Sequence, residues 1–372
     1  MGKFSFFLAL SVLFSLFSAP TILFAQEEAS QPSEEEILEG RVVDILEERE
    51  VGEEGQKQLY QKLEILVTRG SLRDKKIAVE VGGDVSRVGE AKYEKGDEVV
   101  ISRSKDFEGN DVLYITDFIR RKPLLWLFLI FVILAAIVGK WRGIGSLVGM
   151  GVSFLVIFKL ILPQILAGRD PVLISILGSS LIIPVTFYLS HGLNKKTTVA
   201  IFGTLISLVI TGLLAKFFVG AAKLTGFASE EAAFLQAAKP GVVNIKGLLL
   251  AGIIVGVLGV LDDITVAQAA VVSQLRGANP GLKPKELFTR AMRVGQDHIA
   301  SMVNTLVLVY AGAALPLLLL FIDNPVPFSQ ILNYEAIAEE IIRTLVGSIG
   351  LVAAVPVTTF LAINSRFSNL RG

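Results

Sequence analysis

The chain has 372 residues, of which 52% are hydrophobic and 19% are charged, whereas a typical soluble domain is about 25% charged. It has no cysteine and two histidines, which excludes disulfides, cysteine-ligated zinc, thiol nucleophiles and multi-histidine metal sites. The 35 basic and 35 acidic residues are unevenly distributed, because residues 26–119 hold 24 acidic and 13 basic residues, a net charge of −11. An acidic domain and a basic membrane portion are therefore expected, and nucleic acid is not expected as a partner, because the basic residues lie between apolar runs.

The first 25 residues have the pattern of a secretory signal peptide. Lys3 precedes an apolar run from Phe4 to Phe17, and Ala25 supplies a small residue at a cleavage position. Leu23 is larger than the residue preferred there, so an uncleaved N-terminal anchor is the alternative. Both interpretations place residues 26–119 outside the cytoplasm.

Short runs of alternating apolar and polar residues, separated by glycine-containing turns, fill residues 38–119. This pattern predicts five strands, at Gly40–Leu46, Gln58–Thr68, Lys76–Val81, Glu98–Ser102 and Val112–Phe118. Five short strands favour a small extracytoplasmic β-barrel-like domain, with an OB-like barrel as one form of it. The net charge of −11 argues against oligonucleotide binding, so the domain is interpreted as a packing module or a docking surface for a membrane-protein partner.

Seven apolar runs follow in residues 120–372, each near the roughly 20 residues that cross a bilayer. They are Leu124–Gly139, Ile144–Leu162, Pro171–Leu189, Thr198–Val219, Gly247–Val272, Ile299–Ile322 and Leu345–Ile363. The predicted fold class is therefore mainly α, a seven-span helical membrane bundle behind the β domain. Eleven basic residues in the predicted inner segments, against seven in the outer ones, favour a cell-membrane protein with a cytoplasmic C-terminus.

Two further helices are predicted in the long loops. Ser229 begins one that runs to Ala238, and Pro284 begins one that presents Leu287, Ala291 and Val294 on one face. In addition, Glu339, Glu340 and Arg343 precede the seventh run, where the spacing of Glu339 and Arg343 predicts an ion pair on one helix face. These three charges are interpreted as structural.

The fifth run carries two adjacent acids, Asp262 and Asp263. On a helix, Asp263 shares a face with Gly252, Gly256 and Gly259, which predicts that it points into a close helix–helix contact. Asp262 points about 100° away, toward the side of Thr265. Carboxylates within a membrane usually face a protein interior or a water-filled cavity; the alternative is that both acids lie in water at the inner membrane surface.

The sixth run begins with a second polar group. Asp297, Ser301 and Asn304 have helical spacing, so they form one stripe. His298 is predicted either to exchange a proton as part of this site or to serve only as a hydrogen-bonded residue at the interface. Together with Asp262, Asp263 and Thr265, these residues predict a coupling site for a proton or a hard cation, and no other cofactor is indicated.

Three functions remain open from these residues. The first is a permease or exporter of an ion or small solute, and the second is a non-catalytic assembly protein that docks a partner through its β domain. The third is an intramembrane hydrolase with paired aspartates, which would need Asp297 opposite Asp262 or Asp263. Common hydrolase and phosphate-loop motifs are absent from the sequence, so an enzyme is the least favoured of the three.

One internal similarity would fit the architecture of a transporter. Gly178 and the Pro-Val-Thr sequence at 184–186 match Gly350 and the Pro-Val-Thr sequence at 356–358. Both lie in runs predicted to cross in the same direction, as in transporters built from parallel repeats. Coincidence is the favoured interpretation, because glycine and proline are common in membrane helices.

Several of these motifs together resemble the YibE/F-like family of bacterial membrane proteins. The motifs are the runs at 259–268, 295–301 and 304–316, with Asn279 and Pro280 between the first two. The resemblance covers residues from about 120 to 365, and it implies a signal segment, an outer domain and several membrane spans. Gln296 stands where the family pattern has arginine, so an arginine partner for Asp297 is not expected here. The resemblance implies no particular reaction.

Overall fold

The computed structural model describes residues 36–51, 58–82, 92–106, 109–322 and 326–364. The predicted signal segment 1–25 lies outside these residues. The described chain forms two compact units, and the boundary between them lies between Val132 and Ile133. The first contains a β-sheet and the beginning of a long helix, and the second is a helical bundle.

The first unit confirms all five predicted strands. They are β1 (Glu36–Val51), β2 (Gln58–Arg69), β3 (Lys76–Val81), β4 (Glu98–Lys105) and β5 (Asp111–Phe118). All neighbours are antiparallel, in the order β3-β2-β1-β4-β5. The predicted barrel is not confirmed, because the sheet is open: the edge strands β3 and β5 approach each other without pairing. Alternating hydrophobicity shows that one face of each strand is buried, but it carries no information about whether the edges pair.

The sheet buries one face of its strands. Leu63, Ile65 and Val67 of β2 are fully buried, and the residues between them are only partly so. The central strand β1 bends at three irregularities in its pairing with β2. One lies at Gly40, where a Cβ would come within 2.5 Å of Ile65 Cγ2, so only glycine fits this bend.

Ion pairs on this sheet predict acid sensitivity. The Ser71 hydroxyl and backbone N–H, together with the Arg103 guanidinium, hold the pKa of Glu36 below its ordinary value of 4.5. Arg103 likewise holds the pKa of Asp111 below 3.8 through a 2.6 Å contact. Because folding lowers both pKa values, this stabilisation is complete above pH 4.5 and is lost as the pH falls below it.

We therefore expect hydrogen exchange in β1 and β4 of the full-length protein to rise between pH 5 and pH 3, after correction for intrinsic exchange rates. An Arg103→Gln variant should exchange faster at pH 5 and show a smaller change with pH. Exchange that stays constant across this range in the unmodified protein would contradict the assignment.

The second unit is helical. Its elements are α1 (Arg121–Val156, which begins in the first unit), a π-helical turn (Ile157–Ile161), α2 (Leu162–Leu166), α3 (Pro171–His191), α4 (Lys195–Ala221), α5 (Glu230–Ala238), α6 (Ile245–Ala278), α7 (Pro284–Ala313), α8 (Leu315–Ile322), α9 (Phe328–Ile331) and α10 (Glu335–Asn364). Asp170, Asn194, Ser229 and Asn244 cap the helices that follow them. The two loop helices predicted from Ser229 and Pro284 are confirmed as α5 and α7, although Gly295 rather than Val294 is buried on α7.

Five helical stretches among the described residues are long and apolar enough to cross a membrane. They are Arg121–Leu166, Pro171–His191, Lys195–Ala221, Ile245–Ala278 and Glu335–Asn364. The predicted count of seven spans is thus not confirmed. The first two predicted spans lie in one helical stretch that is interrupted at Lys140, where φ is 51°. The sixth is divided between α7 and α8 at Ala314, and its polar residues lower its hydropathy.

Contacts between helices fix their directions. Helices α3, α6 and α10 run one way, whereas α4, α7 and the stretch from Trp141 to Leu166 run the opposite way. The contacts that establish this are Gly145–Leu189, Ile161–Gly178, Tyr188–Thr198, Thr204–Thr265, Gly212–Ile254, Gln268–Ala291, Gly256–Tyr310, Gly347–Val257 and Gln268–Thr359. At Lys140 the chain turns back on itself, because Gly143 lies against the Ala135 carbonyl.

Helices α4 and α10 pack through matching small residues. A Cβ on Gly203 of α4 would lie 2.4 Å from Thr358 Oγ1 of α10, and a Cβ on Gly350 of α10 would lie 2.1 Å from Thr211 Oγ1 of α4. Each helix therefore inserts a threonine against a glycine of the other, two turns apart, which brings the backbones close together.

Candidate functional site

Helix α6 places Asp262 on its packed side. The neighbouring Leu261, Ile264 and Thr265 are fully buried, since the large apolar residues of this helix fill the space between α3, α4 and α10. Asp262 is partly buried, and its Oδ1 is enclosed without a hydrogen-bond partner among the described residues. An enclosed carboxylate oxygen without a partner is costly, so this oxygen is available for a proton, a water molecule or a cation.

Asp263 lies about 100° around α6 from Asp262, on an exposed side of the helix. The prediction that it points into a helix–helix contact is wrong within this chain, because Gly252, Gly256 and Gly259 are exposed along with it. A Cβ on Gly252 or Gly259 would meet no atom within 4 Å. The covered face of α6 is instead the one that carries the bulky aliphatic residues, which pack against α3, α4 and α10. The structure therefore packs Asp262 and exposes Asp263, whereas the sequence predicted that Asp263 would be the packed acid.

Buried polar contacts fix the orientation of α6 around Asp262. Thr265 Oγ1 lies 2.7 Å from Thr204 Oγ1 of α4 and donates to the Asp262 carbonyl at 3.2 Å. One turn on, the Gln268 amide donates to Thr359 Oγ1 of α10 at 2.7 Å and to the Ala291 carbonyl of α7 at 3.1 Å. These bonds connect α6 to three neighbouring helices, so the direction of Asp262 is set by a rigid frame.

His191 is a neighbour that the sequence interpretation did not include in the site. It ends α3, which runs parallel to α6, and it lies within electrostatic reach of Asp263. Lys196 and Arg142 act on the same imidazole. The available sequence signal was weak: His191 is one of two histidines and lies 72 positions from Asp263, so only the packing of α3 against α6 brings them together.

The second predicted polar group does not join the first. Asp297, Ser301 and Asn304 are exposed on α7, on the side opposite the buried Ala291 and Gly295. His298 is partly buried. No three of the described His, Asp and Glu residues group as a possible metal site. The predicted convergence of Asp262, Asp263, Asp297 and His298 on one hard cation is therefore not met in this chain.

The geometry offers an enclosed, titratable carboxyl group on α6, that of Asp262. The acid that acts electrostatically on Asp262 is Asp263, which diverges from it by about 100° on the helix. A hydrolase with two facing aspartates is not supported by this arrangement. A site of this kind can take up and release a proton, or exchange a proton for a cation, as the environment of Asp262 changes.

Comparisons with known proteins return a family and no individual relative. A family described as YibE/F-like protein matches residues 127–365, which is more than half of the chain. No curated protein matches, and no solved structure matches.

Proposed function

The chain belongs to the YibE/F-like family, and from that premise and the geometry of α6 we propose that it is a permease or exporter. The proposed substrate is an ion or a small solute, and the coupling group is Asp262. A proton or a hard cation is the coupling species. Thr265, which donates to the Asp262 carbonyl and contacts Thr204 of α4, holds this part of α6 in place.

The observation that carries this proposal is the position of Asp262 along α6. The helix has basic residues near its two ends, Lys246 and Arg276. They are separated by about 45 Å at 1.5 Å per residue, close to the ~40–45 Å thickness of a bilayer with its headgroups. Asp262 lies about 24 Å from Lys246 and about 21 Å from Arg276 on the same measure. His191, at the end of α3, which runs parallel to α6, lies within electrostatic reach of Asp263, so Asp262 lies level with the inner end of α3 rather than at the bilayer centre. An enclosed, unpartnered carboxylate oxygen among packed helices at that depth supports an ion pathway.

Seven crossings are part of the same proposal. The alternating directions of the helices support it, because each consecutive long segment after Lys140 reverses the direction of the one before it. The turn at Lys140 supplies one further reversal, and α7 with α8 supplies a crossing that composition alone does not reveal. The β domain and the C-terminus then lie on opposite sides of the membrane, with residues 26–119 outside and the C-terminus in the cytoplasm.

Single cysteines test this topology without background, because the chain has none. Asn110 and Asn279 are both exposed. We expect Asn110→Cys to react with a membrane-impermeant maleimide in intact cells, and Asn279→Cys to react only after the membrane is opened. Labelling of Asn279→Cys in intact cells would mean that the insertion is inverted or that the number of crossings between Asn110 and Asn279 is even.

The second candidate function is an accessory protein that docks a partner through the β domain. The observation that favours it is a pair of exposed apolar side chains on β1, where Ile37 is 70% and Leu46 is 53% exposed. We also retain an OB-like barrel as a proposal, because OB domains are partly open Greek-key barrels and the edge strands β3 and β5 approach each other here.

Flux measurements separate the two functions. Protein in liposomes should move protons in response to an imposed cation or proton gradient, and Asp262→Asn should remove this response. A stable stoichiometric partner recovered by crosslinking, together with full tolerance of Asp262→Asn in cells, would favour the accessory function.

A further inference from the structure

An exposed stripe runs along α7, on the side that faces away from the helical bundle. Gly295 and Leu306 are buried against the rest of the chain, whereas Asp297, Ala300 and Asn304 are exposed. The intervals between the three exposed residues, three and then four positions, are those of the contact positions of a coiled coil. The stripe therefore has the spacing of a helix-packing surface, but no helix among the described residues covers it.

Contacts between α6 and α7 fix the level of Asn304 along the bundle. The Gln268 amide of α6 donates to the Ala291 carbonyl of α7. A Cβ on Gly256 of α6 would lie 3.7 Å from the Tyr310 hydroxyl of α7. Asn304 lies between Ala291 and Tyr310 and is nearer to Tyr310, so it is level with the part of α6 that begins at Gly256.

Helix α3 shows how deep in the membrane this level is. The first residue of α3 lies against Gly247 of α6, and its last residue is within electrostatic reach of Asp263. The 21 residues of α3 form one of the apolar stretches and span about 31 Å at 1.5 Å per residue, close to the ~30 Å of a hydrocarbon layer. Gly256 lies about midway between Gly247 and Asp263, so Asn304 faces outward near the middle of that layer.

An exposed asparagine at this depth is costly unless a partner satisfies it. Its side chain has no hydrogen-bond partner in the part of the chain that the structure describes, and lipid tails offer none. A carboxamide carries both donors and an acceptor, so two copies of the same amide can satisfy each other. Asparagine at a contact position of paired helices fixes their register, and polar side chains hold membrane helices together.

Two charges on the same side of α7 select the same kind of partner. Arg293 and Asp297 are exposed one turn apart, and neither forms an ion pair with a described residue. Copies of one membrane protein insert in one direction, so a two-fold axis along the membrane normal places their α7 helices parallel. In that arrangement Arg293 of each copy lies beside Asp297 of the other, which makes the surface complementary to itself.

We propose that a second copy of this chain covers the stripe and forms a two-fold symmetric dimer through α7. The two Asn304 amides hydrogen-bond to each other within the hydrocarbon layer, and Ala300 lets the two backbones approach. Two pairs of Arg293 with Asp297 close the inner end of the interface. The dimer covers the second predicted polar group, which this chain alone leaves exposed. The proposal does not rest on transport, because α3 and α6 set the depth of Asn304.

Cysteine crosslinking of the full-length protein in membranes tests the contact, since the chain has no cysteine of its own. Leu308 and Val309 are adjacent on α7 and similarly exposed, at 61% and 59%. Leu308 lies about 40° around the helix from Asn304, and Val309 about 140°. We expect oxidation with copper phenanthroline to link Leu308→Cys into a dimer and to leave Val309→Cys monomeric. Equal crosslinking of the two variants, or linkage of Leu308→Cys to a different protein only, would overturn the proposal.

Single-molecule photobleaching in liposomes measures association over a range of protein-to-lipid ratios. Asn304→Leu should weaken dimerisation about three- to thirtyfold, the range reported by hydrogen bonds between membrane helices. Thr305→Leu is the matched control, because this exposed neighbour already donates to the Ser301 carbonyl at 3.1 Å and points about 100° away. Its association should be unchanged. Dimerisation of Asn304→Leu as tight as that of the unmodified protein would contradict the assignment.

Exchange of the two charges identifies the partner as a second copy. Arg293→Asp and Asp297→Arg should each weaken self-association, because like charges then face each other across the two-fold axis. A mixture of the two variants should associate again, since each copy supplies the charges that the other needs, and refolding within one chain cannot produce this recovery. A mixture that stays monomeric, or an unmodified protein that is monomeric at every ratio, would overturn the proposal. Loss of flux in Asp262→Asn with intact dimers would leave it standing.

Discussion

Replacing Asp262 with asparagine should lower ion-coupled flux by about a hundredfold or more, the lower end of what a positioned proton-transfer group contributes in proteins. The amide keeps the size of the side chain but cannot release a proton or hold a cation by charge. The Oδ1 of Asp262 is enclosed and unpartnered among the described residues, so no neighbouring group takes over this role. The measurement is proton movement into dye-loaded liposomes under imposed proton, Na⁺, K⁺ or Mg²⁺ gradients.

Asp263→Asn is the matched control for this experiment. It removes the same charge from the next residue, but Asp263 lies about 100° around α6, on an exposed side of the helix. We expect its flux to stay within about threefold of the unmodified protein, since exposed charges interact weakly with their surroundings. The opposite ranking of the two variants would assign coupling to the exposed acid. Absence of flux in the unmodified protein under all four gradients would remove the permease proposal itself.

Gly350→Ala should destabilise the helical bundle by about 1–3 kcal/mol, the usual cost of overpacking a tight core. The new Cβ would lie 2.1 Å from Thr211 Oγ1, and the Thr211 hydroxyl cannot simply swing away because it donates to the Ser207 carbonyl at 2.8 Å. Thr211 is also β-branched and restricted at χ1. Thermal unfolding of the purified protein in detergent measures the change.

Two variants make this prediction specific. Gly259→Ala adds the same methyl group to α6, where nothing lies within 4 Å of the new Cβ, so it should be neutral or stabilising by about 0.5–1 kcal/mol through helix propensity. The double variant Gly350→Ala/Thr211→Ala removes the atom that clashes and should recover part of the loss. If Gly350→Ala and Gly259→Ala have equal melting temperatures, the close packing of α4 and α10 is not present in solution.

The local features of this fold could be predicted because their signals are local. Alternating residues located all five strands, since a half-buried strand repeats every two residues. Ser229 and Pro284 located the beginnings of α5 and α7, because capping groups must lie next to the backbone atoms they satisfy. Barrel closure could not be predicted, since it depends on whether β3 and β5, distant in sequence, pair.

The number of membrane crossings illustrates a second limit of prediction from sequence. Hydropathy identifies a span by the average of one window, and α7 fails this criterion because Asp297, Asn304 and their polar neighbours lower the average. The direction in which a helix runs is established instead by its contacts with other helices, such as the contact of Gln268 with Ala291. The five apolar stretches therefore show which helices are apolar enough to cross a membrane, whereas the alternating directions show how consecutive helices are oriented.

The sequence by itself determined that this is a membrane protein with a separate acidic β domain, because composition and charge segregation are properties of the chain. It also determined the family and drew attention to Asp262 and Asp263. Only the tertiary structure decided which of these two acids faces inward. Both positions on α6 are compatible with a helical pattern, and the inward-facing acid is the one on the face that α3, α4 and α10 cover. It likewise brought His191 within electrostatic reach of Asp263 and confirmed the predicted ion pair between Glu339 and Arg343. These relations depend on contacts between segments far apart in the chain, which periodicity within one segment does not record.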